Sequence, residues 1–178
     1  MKSLLNTDST SLHFVPCTAT DVAEIEALAK EIWPKVYDYM ISQEQITYML
    51  KLFYSQEALQ KQMANGQVFY IAKQGENSLG FLSIEHNCSF EQQAASKLHK
   101  LYAKLETHGT GIGKAMFAFV CEQAKQHNSA QLFLNVNRHN KAIAFYTRQG
   151  MSIAYDEDID IGEGYFMNDY VMNKSLLD

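Results

Sequence analysis

A turn with three alternating glycines, Gly109, Gly111 and Gly113, stands past the middle of the chain. A strand-like stretch precedes the turn, and apolar residues at helical spacing follow it. The first backbone N–H groups of a helix have no partner inside the helix, and the helix dipole is positive at that end. Glycines also let a ligand approach the backbone closely. The turn therefore predicts a binding site for a phosphate group.

Two other phosphate-binding motifs fit this turn poorly. A Walker A loop requires a glycine and a hydroxyl residue at two positions where the chain has His108 and Ala115. A dinucleotide-binding fingerprint that begins at Gly109 requires a further glycine where the chain has Lys114. A glycine-rich turn without any ligand stays an alternative.

A second segment, residues 135–150, contains an asparagine and a tyrosine that could take part in binding or proton transfer. Its sequence is NVNRHNKAIAFYTRQG. Asn140 stands where a helix is expected to begin, and an asparagine there commonly serves only as an N-cap. Tyr146 follows Phe145 within that helix, and its spacing alone favours a packed core aromatic. A phenol, with a pKa near ~10, can nevertheless donate its proton to a basic group that is held in contact with it.

The two segments together resemble the two signatures of the GNAT family of N-acetyltransferases. The first signature, Gln/Arg-x-x-Gly-x-Gly/Ala at a strand-to-helix turn, matches at Gly111 and Gly113, with His108 in place of Gln or Arg. The second, Asn-x-x-Ala-x-x-Phe-Tyr-x-x-x-Gly-Phe, is similar to the stretch from Asn140 to Gly150. The resemblance covers residues 67–173 well and the preceding helices only in outline.

The resemblance implies an acetyl-CoA-dependent N-acetyltransferase with the α/β (α+β) GNAT fold. That fold has a twisted, mixed, mostly antiparallel central sheet of about six to seven strands, flanked by helices, in which parallel strands 4 and 5 splay apart. Acetyl-CoA is the implied cosubstrate, its pyrophosphate lies on the backbone of the glycine turn, and no metal is required. The residues implied to contact acetyl-CoA are Leu101, Tyr102, Ala103, His108, Gly109, Thr110, Gly111, Ile112, Gly113, Lys114, Asn135, Asn140, Ala142, Phe145 and Tyr146.

The implied reaction is direct attack of a neutral amine on the thioester within a ternary complex. The family match gives Tyr146 the role of the acid that protonates the departing thiolate. Because most amines are protonated at neutral pH, a base is also needed, and Glu85 is the best candidate. Glu85 ends the strand Gly80–His86, which we assign to the family's fourth strand, whose backbone N–H groups stabilise the oxyanion. His86 points to the opposite face, and a plain surface role for Glu85 stays an alternative.

The acceptor is less well indicated than the acetyl donor. Five acidic side chains between Tyr155 and Gly164 could attract a polyamine. The C-terminal stretch and the stretch Tyr48–Ser55 resemble bacterial spermidine and spermine N-acetyltransferases. A solvated acidic loop is the plain alternative. The alternative functions are acetylation of a peptide N-terminus or a protein lysine, and a non-catalytic acyl-CoA-binding regulatory module.

Periodicity and turn residues place these groups on an α/β chain. The predicted strands cover residues 13–15, 67–73, 79–86, 97–105, 130–136, 151–154 and 165–173. The predicted helices cover residues 20–33, 42–53, 55–65, 109–127 and 141–149. We expect Thr20 to cap the first helix and Pro34 to end it, and Ser42 and Ser55 to cap the next two. Residues 87–96 have no assignment, and an acidic segment joins the last two strands.

Composition and charge exclude several function classes. A chain of 178 residues with 47% apolar and 20% charged residues fits one globular domain, residues 1–178. The net charge of −5 lacks the basic footprint of a nucleic-acid-binding protein. Three cysteines without a CxxC pair, and the lack of a signal-like or membrane-spanning apolar run, favour a cytoplasmic protein. We expect a small-molecule amine or peptide acceptor, no nucleic-acid or membrane partner, and a homodimer as one assembly state.

Overall fold

The structure, a computed structural model, describes residues 11–177. Within this range the strands are β1 (Leu12–Pro16), β2 (Gln67–Gln74), β3 (Asn77–Phe90), β4 (Gln93–Ala103), β5 (Gln131–Asn137), β6 (Ser152–Gly162) and β7 (Tyr165–Ser175). The helices are α1 (Val22–Tyr37), α2 (Gln43–Tyr54), α3 (Gln56–Ala64), α4 (Ile112–Gln126) and α5 (Ala142–Arg148). A 3₁₀ turn, Leu105–Thr107, lies between β4 and the glycine turn.

The strands form one seven-stranded sheet in the order β1-β2-β3-β4-β5-β7-β6. Neighbouring strands are antiparallel except for β4 and β5, which run parallel. The mixed, mostly antiparallel sheet with a parallel pair at strands 4 and 5 is thus confirmed. The assignment of residues 80–86 to the fourth strand was wrong, since these residues lie in β3. The fourth strand is Gln93–Ala103, because the strand that leads directly into the glycine turn is the one that pairs with β5.

Helices cover both faces of this sheet. On one face α1, α2 and α3 pack against Phe69, Ile71 and Phe81. On the other face α4 and α5 pack against alternate residues of the same strands, such as Leu82 and Ile84. The sheet thus lies between two helical layers, and its parallel pair of strands, β4 and β5, lies near its middle.

The helix α1 continues past the proline that we expected to end it. Pro34 lies inside the helix, and the N-cap is Asp21 rather than Thr20. Asp21 accepts hydrogen bonds from the backbone N–H and the hydroxyl of Thr18, at 2.7 and 2.9 Å. Pro34 removes one helical hydrogen bond, but Trp33 and Tyr37 of the last turn pack into the core. Burial of these side chains outweighs the lost bond.

The caps of the next two helices follow the prediction. The hydroxyl of Ser42 accepts a hydrogen bond from the N–H of Gln45 at 3.1 Å. The hydroxyl of Ser55 accepts one from the N–H of Ala58 at 3.3 Å. These caps fix where α2 and α3 begin, and thereby how they approach the sheet.

The unassigned residues 87–96 form the tip of a long hairpin. β3 runs on to Phe90, and β4 already begins at Gln93. The two turn residues, Glu91 and Gln92, both have positive φ, 48° and 64°. A two-residue turn of this type usually contains Asn-Gly, so Glu-Gln gives no hairpin signal in the sequence.

The acidic segment near the C-terminus belongs to a strand and not to a loop. β6 extends to Gly162 and pairs with β7 along most of its length. The predicted strand ends at Ala154, whereas the observed strand continues through acidic residues, a type that is depleted in strands. β6 is an edge strand, where charged side chains are tolerated because one side faces water and where they discourage pairing with another chain.

Gly80 of β3 lies directly against the backbone of β4. A Cβ atom here would lie 2.2 Å from the carbonyl oxygen of Tyr102 and 2.9 Å from the Cα of Ala103. We expect Gly80→Ala to lower the free energy of unfolding by ~3 kcal/mol in urea denaturation, because the two strands must move apart.

A second glycine provides the control for this test. A Cβ at Gly113 would make an ordinary contact of 3.7 Å with Phe145. We expect Gly113→Ala to change the free energy of unfolding by less than ~1 kcal/mol. Equal stability of Gly80→Ala and the wild type would contradict the close approach of β3 and β4.

Candidate active site

A cleft opens where the parallel strands part. β4 and β5 pair over Ala95–Leu98 and Gln131–Leu134 only. Beyond these positions β4 continues to Ala103 and β5 to Asn137 without pairing to each other. A cleft of about 1230 Å³ lies along the parted strands and is lined by both. The splay of strands 4 and 5 that the sequence predicts is therefore confirmed.

The structure brings most of the expected cosubstrate-contacting residues to this cleft. All of them line it except Thr110 and Ile112. The hydroxyl of Thr110 donates to the carbonyl oxygen of Thr107 at 2.6 Å, and Ile112 packs against the core on the α4 face. Of the two expected catalytic residues, Tyr146 lines the cleft, and Glu85 does not.

The glycine turn presents its backbone to the cleft. Gly109 and Gly111 have φ of 80° and 92°, values that other residues adopt only with strain. The N–H of Ala115 donates to the carbonyl oxygen of Gly111 at 3.0 Å and closes the first turn of α4. The N–H groups of residues 112–114 therefore precede the intrahelical bonds and are available to an anion. Among residues 11–177, and apart from each glycine and its chain neighbours, no atom lies within 4 Å of where a Cβ at Gly109 or Gly111 would stand, so the space above the turn is open.

His108 has a contact of its own within this turn. Its Nε2 lies 3.2 Å from the carbonyl oxygen of Ala103, the last residue of β4. The imidazole thus ties the turn back to the end of the strand that leads into it. This contact gives the histidine a positioning role where the family signature has Gln or Arg.

The second signature provides the opposite wall of the cleft. The side-chain oxygen of Asn140 accepts a hydrogen bond from the N–H of Ala142 at 2.8 Å and thereby stabilises the turn that leads into α5, whose N-cap is Lys141. The N–H of Lys141 donates to the hydroxyl of Tyr39 at 3.2 Å, and the Lys141 ammonium lies 4.5 Å from the centre of that ring. Asn135 donates to Glu157 of β6 at 2.9 Å. These contacts join α5, β6 and the segment after α1 around one opening.

Tyr146 is held among aromatic rings. Its ring centre lies 5.2 Å from that of Phe145 and 6.0 Å from that of Phe117. The residue is 8% exposed and lines the cleft. Burial raises the pKa of the Tyr146 phenol well above its usual value. The phenol is therefore protonated at neutral pH and can donate a hydrogen bond or a proton into the cleft.

Glu85 reaches the cleft only through a histidine. One of its carboxylate oxygens lies 2.7 Å from Nε2 of His99, and His99 lines the cleft. Burial, followed by the charges of Lys97 and Lys100, lowers the pKa of His99 to about 4, although Glu85 acts in the opposite direction. The ring is accordingly neutral at pH 7. His86 lies on the other face of β3, as expected, where it contacts Ser96.

A buried lysine, Lys100, also belongs to the cleft. Its ammonium contacts the side-chain oxygens of Gln62 and Gln67 at 2.5 and 3.4 Å. It lies 5.6 Å from the ring centre of Tyr54 and 5.4 Å from that of Phe69. Burial lowers the pKa of Lys100 to about 7.

Tyrosines line the wall of the cleft where α1 approaches β4. The hydroxyl groups of Tyr37 and Tyr102 are 2.9 Å apart, and Tyr54 packs edge-on against Tyr102. Burial raises the pKa values of all three phenols well above the usual value. This wall therefore offers neutral hydroxyl groups and ring faces rather than charge.

Asp169 is a cleft residue that the sequence analysis did not single out. It lies in β7 opposite Asn137, is 6% exposed and lines the cleft. Burial, with help from Glu157, raises its pKa from 3.8 to about 6, and Arg138 opposes that rise. Asp169, His99 and Lys100 lie in strands that carry several other polar residues, so no local sequence signal distinguishes them.

The raised pKa of Asp169 predicts a pH-dependent stability. The folded chain holds this proton more tightly than the unfolded chain does, so ionisation costs folding free energy. The cost is absent below pH ~4, grows as the pH rises to about 6, and is complete above that pH. Asp169→Asn removes it. We expect the variant to gain ~1 kcal/mol, or about 2–4 °C in melting temperature, at pH ~7.5 and nothing at pH ~4.

Thermal unfolding of both proteins, followed by circular dichroism at the two pH values, measures this effect. The expected gain is smaller than full burial would give, because cleft water screens part of the carboxylate's charge. A gain that occurs only at the lower pH, or equal melting temperatures at both, would contradict the raised pKa.

Two kinds of site are not found in the part of the chain that the structure describes. Residues 11–177 hold no group of three or more His, Cys, Asp or Glu side chains arranged to bind a metal ion. In the same range, every helix is too short or too polar to cross a lipid bilayer.

Comparison with known sequences identifies the family. The family model described as "Acetyltransferase (GNAT) domain" matches residues 37–158. A relative from Lactobacillus delbrueckii subsp. lactis, described as an uncharacterized N-acetyltransferase in the pepI 3′ region, is 21% identical over 173 residues. The match covers 94% of this chain and 99% of the relative.

Solved structures show the same fold. The PaiA N-acetyltransferase from Thermoplasma acidophilum, in complex with coenzyme A, is similar with a TM-score of 0.75 and 23% identity, over 93% of this chain and 99% of that chain. A GCN5-related N-acetyltransferase from Rhodopseudomonas palustris is similar with a TM-score of 0.78 and 16% identity, over 93% and 96% of the two chains.

The family match covers more than half of the chain, and it includes the glycine turn, the parted strands and the helix that carries Tyr146. The chain therefore belongs to the GNAT acetyltransferase family and is an acetyl-CoA-dependent N-acetyltransferase.

Proposed function

We propose that the enzyme transfers the acetyl group to a primary amine by direct attack within a ternary complex in the cleft between β4 and β5. One observation carries this proposal: the parted strands lead from a helix N-terminus with available N–H groups to a buried phenol. Acetyl-CoA, when bound, supplies the activated thioester. The amine enters from the side of α1 and β7, where the tyrosines and Asp169 line the cleft.

The residues of the glycine turn fit a pyrophosphate. The N–H groups of residues 112–114 and the open space above Gly111 would hold it. Lys114 lines the same part of the cleft and adds a positive charge. The parted edges of β4 and β5, including Leu101 to Ala103 and Asn135, would hold the rest of the chain of CoA. The coenzyme A complex of the structurally similar PaiA enzyme supports this proposal.

Three side chains are proposed to take part in the transfer. Tyr146 donates a proton to the departing sulfur, in agreement with its burial and its protonated state. Glu85 provides the basic function, and since it does not line the cleft it must act through a neighbour. Asp169 attracts the positively charged amine and orients it for loss of a proton.

Polyamines are the first acceptor class to test. Ile159, Phe166 and Met167 of the β6–β7 hairpin line the cleft. By alternation Glu157 shares the side of β6 on which Ile159 lies, and its charge acts on Asp169, whereas Asp158 and Asp160 lie on the other side. Glu157 would place negative charge beside the distal amines of a long acceptor. Arg138 pairs with Asp156 and Asp158, however, so part of the acidic charge is already neutralised.

A second acceptor class, an amine that also carries an acidic group, is favoured by the opposite wall. Lys97 and Lys100 both line the cleft on β4. Successive strand residues rise about 3.3 Å, so the three steps from Lys100 to Ala103 already place this lysine about 10 Å before the glycine turn. The two lysines are thus too far from that turn to serve the pyrophosphate. An amino acid or peptide acceptor would bring a carboxylate that these two lysines could bind.

Cellular location and assembly belong to the same proposal. The three cysteines are free, which suits the reducing cytoplasm. Ile153, Tyr155 and Phe166 are about half exposed beside the sheet edge and supply an apolar surface for a homodimer. Sedimentation velocity would show a dimer or a monomer directly.

A thiol-release screen with acetyl-CoA tests the proposed function. The panel contains polyamines, amino acids, aminoglycosides and short peptides with a free N-terminus or a lysine. Faster release with spermidine than with amino acids would support the polyamine proposal, and the reverse order would support the second class. Binding of acetyl-CoA without thiol release from any amine would overturn the enzymatic proposal in favour of a regulatory binding module.

A further inference from the structure

His99 occupies an irregular position in β4. Ser83 of β3 pairs with Lys100, whereas the next residue, Ile84, pairs with Leu98, so His99 has no partner across the strand pair. Such a β-bulge re-aims the side chain of the extra residue and bends the strand. The bulge lies directly after Leu98, where β4 leaves β5, and His99 lines the cleft.

The carboxylate of Glu85 fixes the form of this imidazole. A carboxylate only accepts hydrogen bonds at neutral pH, so Nε2 of His99 must donate across the 2.7 Å contact. Because a neutral imidazole has one N–H group, Nδ1 then keeps its lone pair. In the His99–Glu85 pair, the nitrogen that can accept a proton is therefore Nδ1, the one that does not contact Glu85.

The surroundings of His99 keep the ring neutral without an added proton. The charged groups that act on it are Glu85 from β3, and Lys97 and Lys100 from β4 itself. Burial is the largest effect that disfavours a positive charge on the ring and the two lysine charges add to it, while the hydrogen bond to Glu85, which is 36% exposed, acts in the opposite direction. A neutral ring can accept a proton, and the nearby carboxylate then stabilises the imidazolium that forms.

We propose that His99 is the catalytic base of the acetyl transfer and that Glu85 is its positioning residue. This assignment rests on the proposed function, and it changes the role of Glu85 from the base to the group that orients the base. It also accounts for Glu85 lying outside the cleft while its hydrogen-bond partner lies inside it.

Each proton that moves in this step is donated and accepted by groups within the site. As the amine nitrogen bonds to the acetyl carbon and the carbon–sulfur bond breaks, Nδ1 of His99 accepts the proton that the nitrogen loses. Tyr146 donates its proton to the sulfur. The imidazolium and the phenolate then return to their neutral forms when one proton passes between them through water. Glu85 stays ionised throughout.

Kinetics of five variants test the assignment on the best acceptor from the screen. We expect His99→Gln to lower kcat by about 10²-fold and Glu85→Gln by about tenfold, with the KM for acetyl-CoA unchanged within twofold. We also expect added imidazole to restore part of the activity of His99→Ala, since it can occupy the vacated space. Imidazole should not restore Glu85→Gln, in which the ring is still present.

His86→Gln is the matched control, because His86 is the neighbour of Glu85 that faces the opposite side of the sheet, where it stacks on His127 at the end of α4. We expect its kcat to stay within twofold of the wild type. A normal kcat for His99→Gln, or His99→Ala that imidazole does not restore, would overturn the assignment. A strong loss in Asp169→Asn with normal His99→Gln would transfer the role to Asp169.

The tautomer of His99 tests the arrangement without any turnover. Long-range ¹H–¹⁵N correlation spectra at pH 7 should show a neutral His99 ring protonated at Nε2 in the wild type. Glu85→Gln should add a second population protonated at Nδ1. A wild-type ring protonated at Nδ1 would overturn the inference. Lack of thiol release by the wild type would count against the proposed function, and this spectrum would still decide the His99–Glu85 arrangement.

Discussion

Tyr146→Phe lowers kcat by about 10³-fold and leaves the affinity for acetyl-CoA within twofold. The phenol is buried and protonated, and it is proposed to supply the proton that the leaving sulfur needs. Phenylalanine keeps the ring that packs at 6.0 Å from Phe117, so the fold and the cleft stay intact. Thiol release under saturating substrates measures kcat, and a rapid-mixing experiment shows whether the chemical step has become slow.

A second tyrosine controls for loss of a hydroxyl group. Tyr70 donates to Gln123 at 3.2 Å on the α4 face and is not among the cleft residues. We expect Tyr70→Phe to keep kcat within twofold. If Tyr146→Phe retained more than about a tenth of the wild-type kcat, a proton from this phenol would not be needed.

Gly111→Asp weakens the binding of CoA by about 10³-fold. The new carboxylate would stand in the open space above the glycine turn, where the pyrophosphate is proposed to lie. A pair of like charges about 4 Å apart near a protein surface repel by ~4 kcal/mol, which corresponds to this loss of affinity. The free protein should fold, because the strain of a φ of 92° is smaller for aspartate than for most other residues, and a negative charge at a helix N-terminus is favourable. Calorimetric titration with CoA measures the dissociation constant.

Gly111→Asn separates charge from shape in this test. Asparagine has the same size and the same tolerance of positive φ but no charge. We expect it to weaken CoA binding by about tenfold or less, and the difference between the two variants to shrink as salt is added. Equal affinities of the Asp and Asn variants would show that no phosphate lies near residue 111.

Local chemistry explains why much of the fold was predictable. Ser42 and Ser55 cap their helices through contacts that span three residues, so the sequence alone contains both partners. The glycine turn is equally local, since its geometry depends on Gly109 and Gly111. The parting of β4 and β5 was predicted differently, from the resemblance, and no pattern within either strand indicates it.

The elements that were predicted wrongly depend on contacts between distant parts of the chain. Pro34 stays inside α1 because Trp33 and Tyr37 pack against other elements. β6 extends through its acidic residues because β7 pairs with it and the other side is a sheet edge. Neither of these two causes is visible in a local pattern. The start of α4 at Ile112 and not at Gly109 has a local cause instead, the positive φ that Gly109 and Gly111 adopt in the turn before it.

The site was predicted less completely than the fold. The cosubstrate side follows two contiguous signatures and could be named residue by residue. The proposed acceptor side is assembled from α1, α2, β4 and β7, and His99 and Asp169 reach it from separate strands. A bulge that turns one histidine toward a glutamate on the next strand leaves no signal in the sequence, so Glu85 was identified and His99 was not.

A crystal structure of the protein with CoA tests the central claim most directly. We expect the pyrophosphate to accept hydrogen bonds from the N–H groups of residues 112–114 and the sulfur to lie between β4 and β5, within reach of the Tyr146 hydroxyl. Density for CoA outside this cleft, or a sulfur remote from Tyr146, would contradict it.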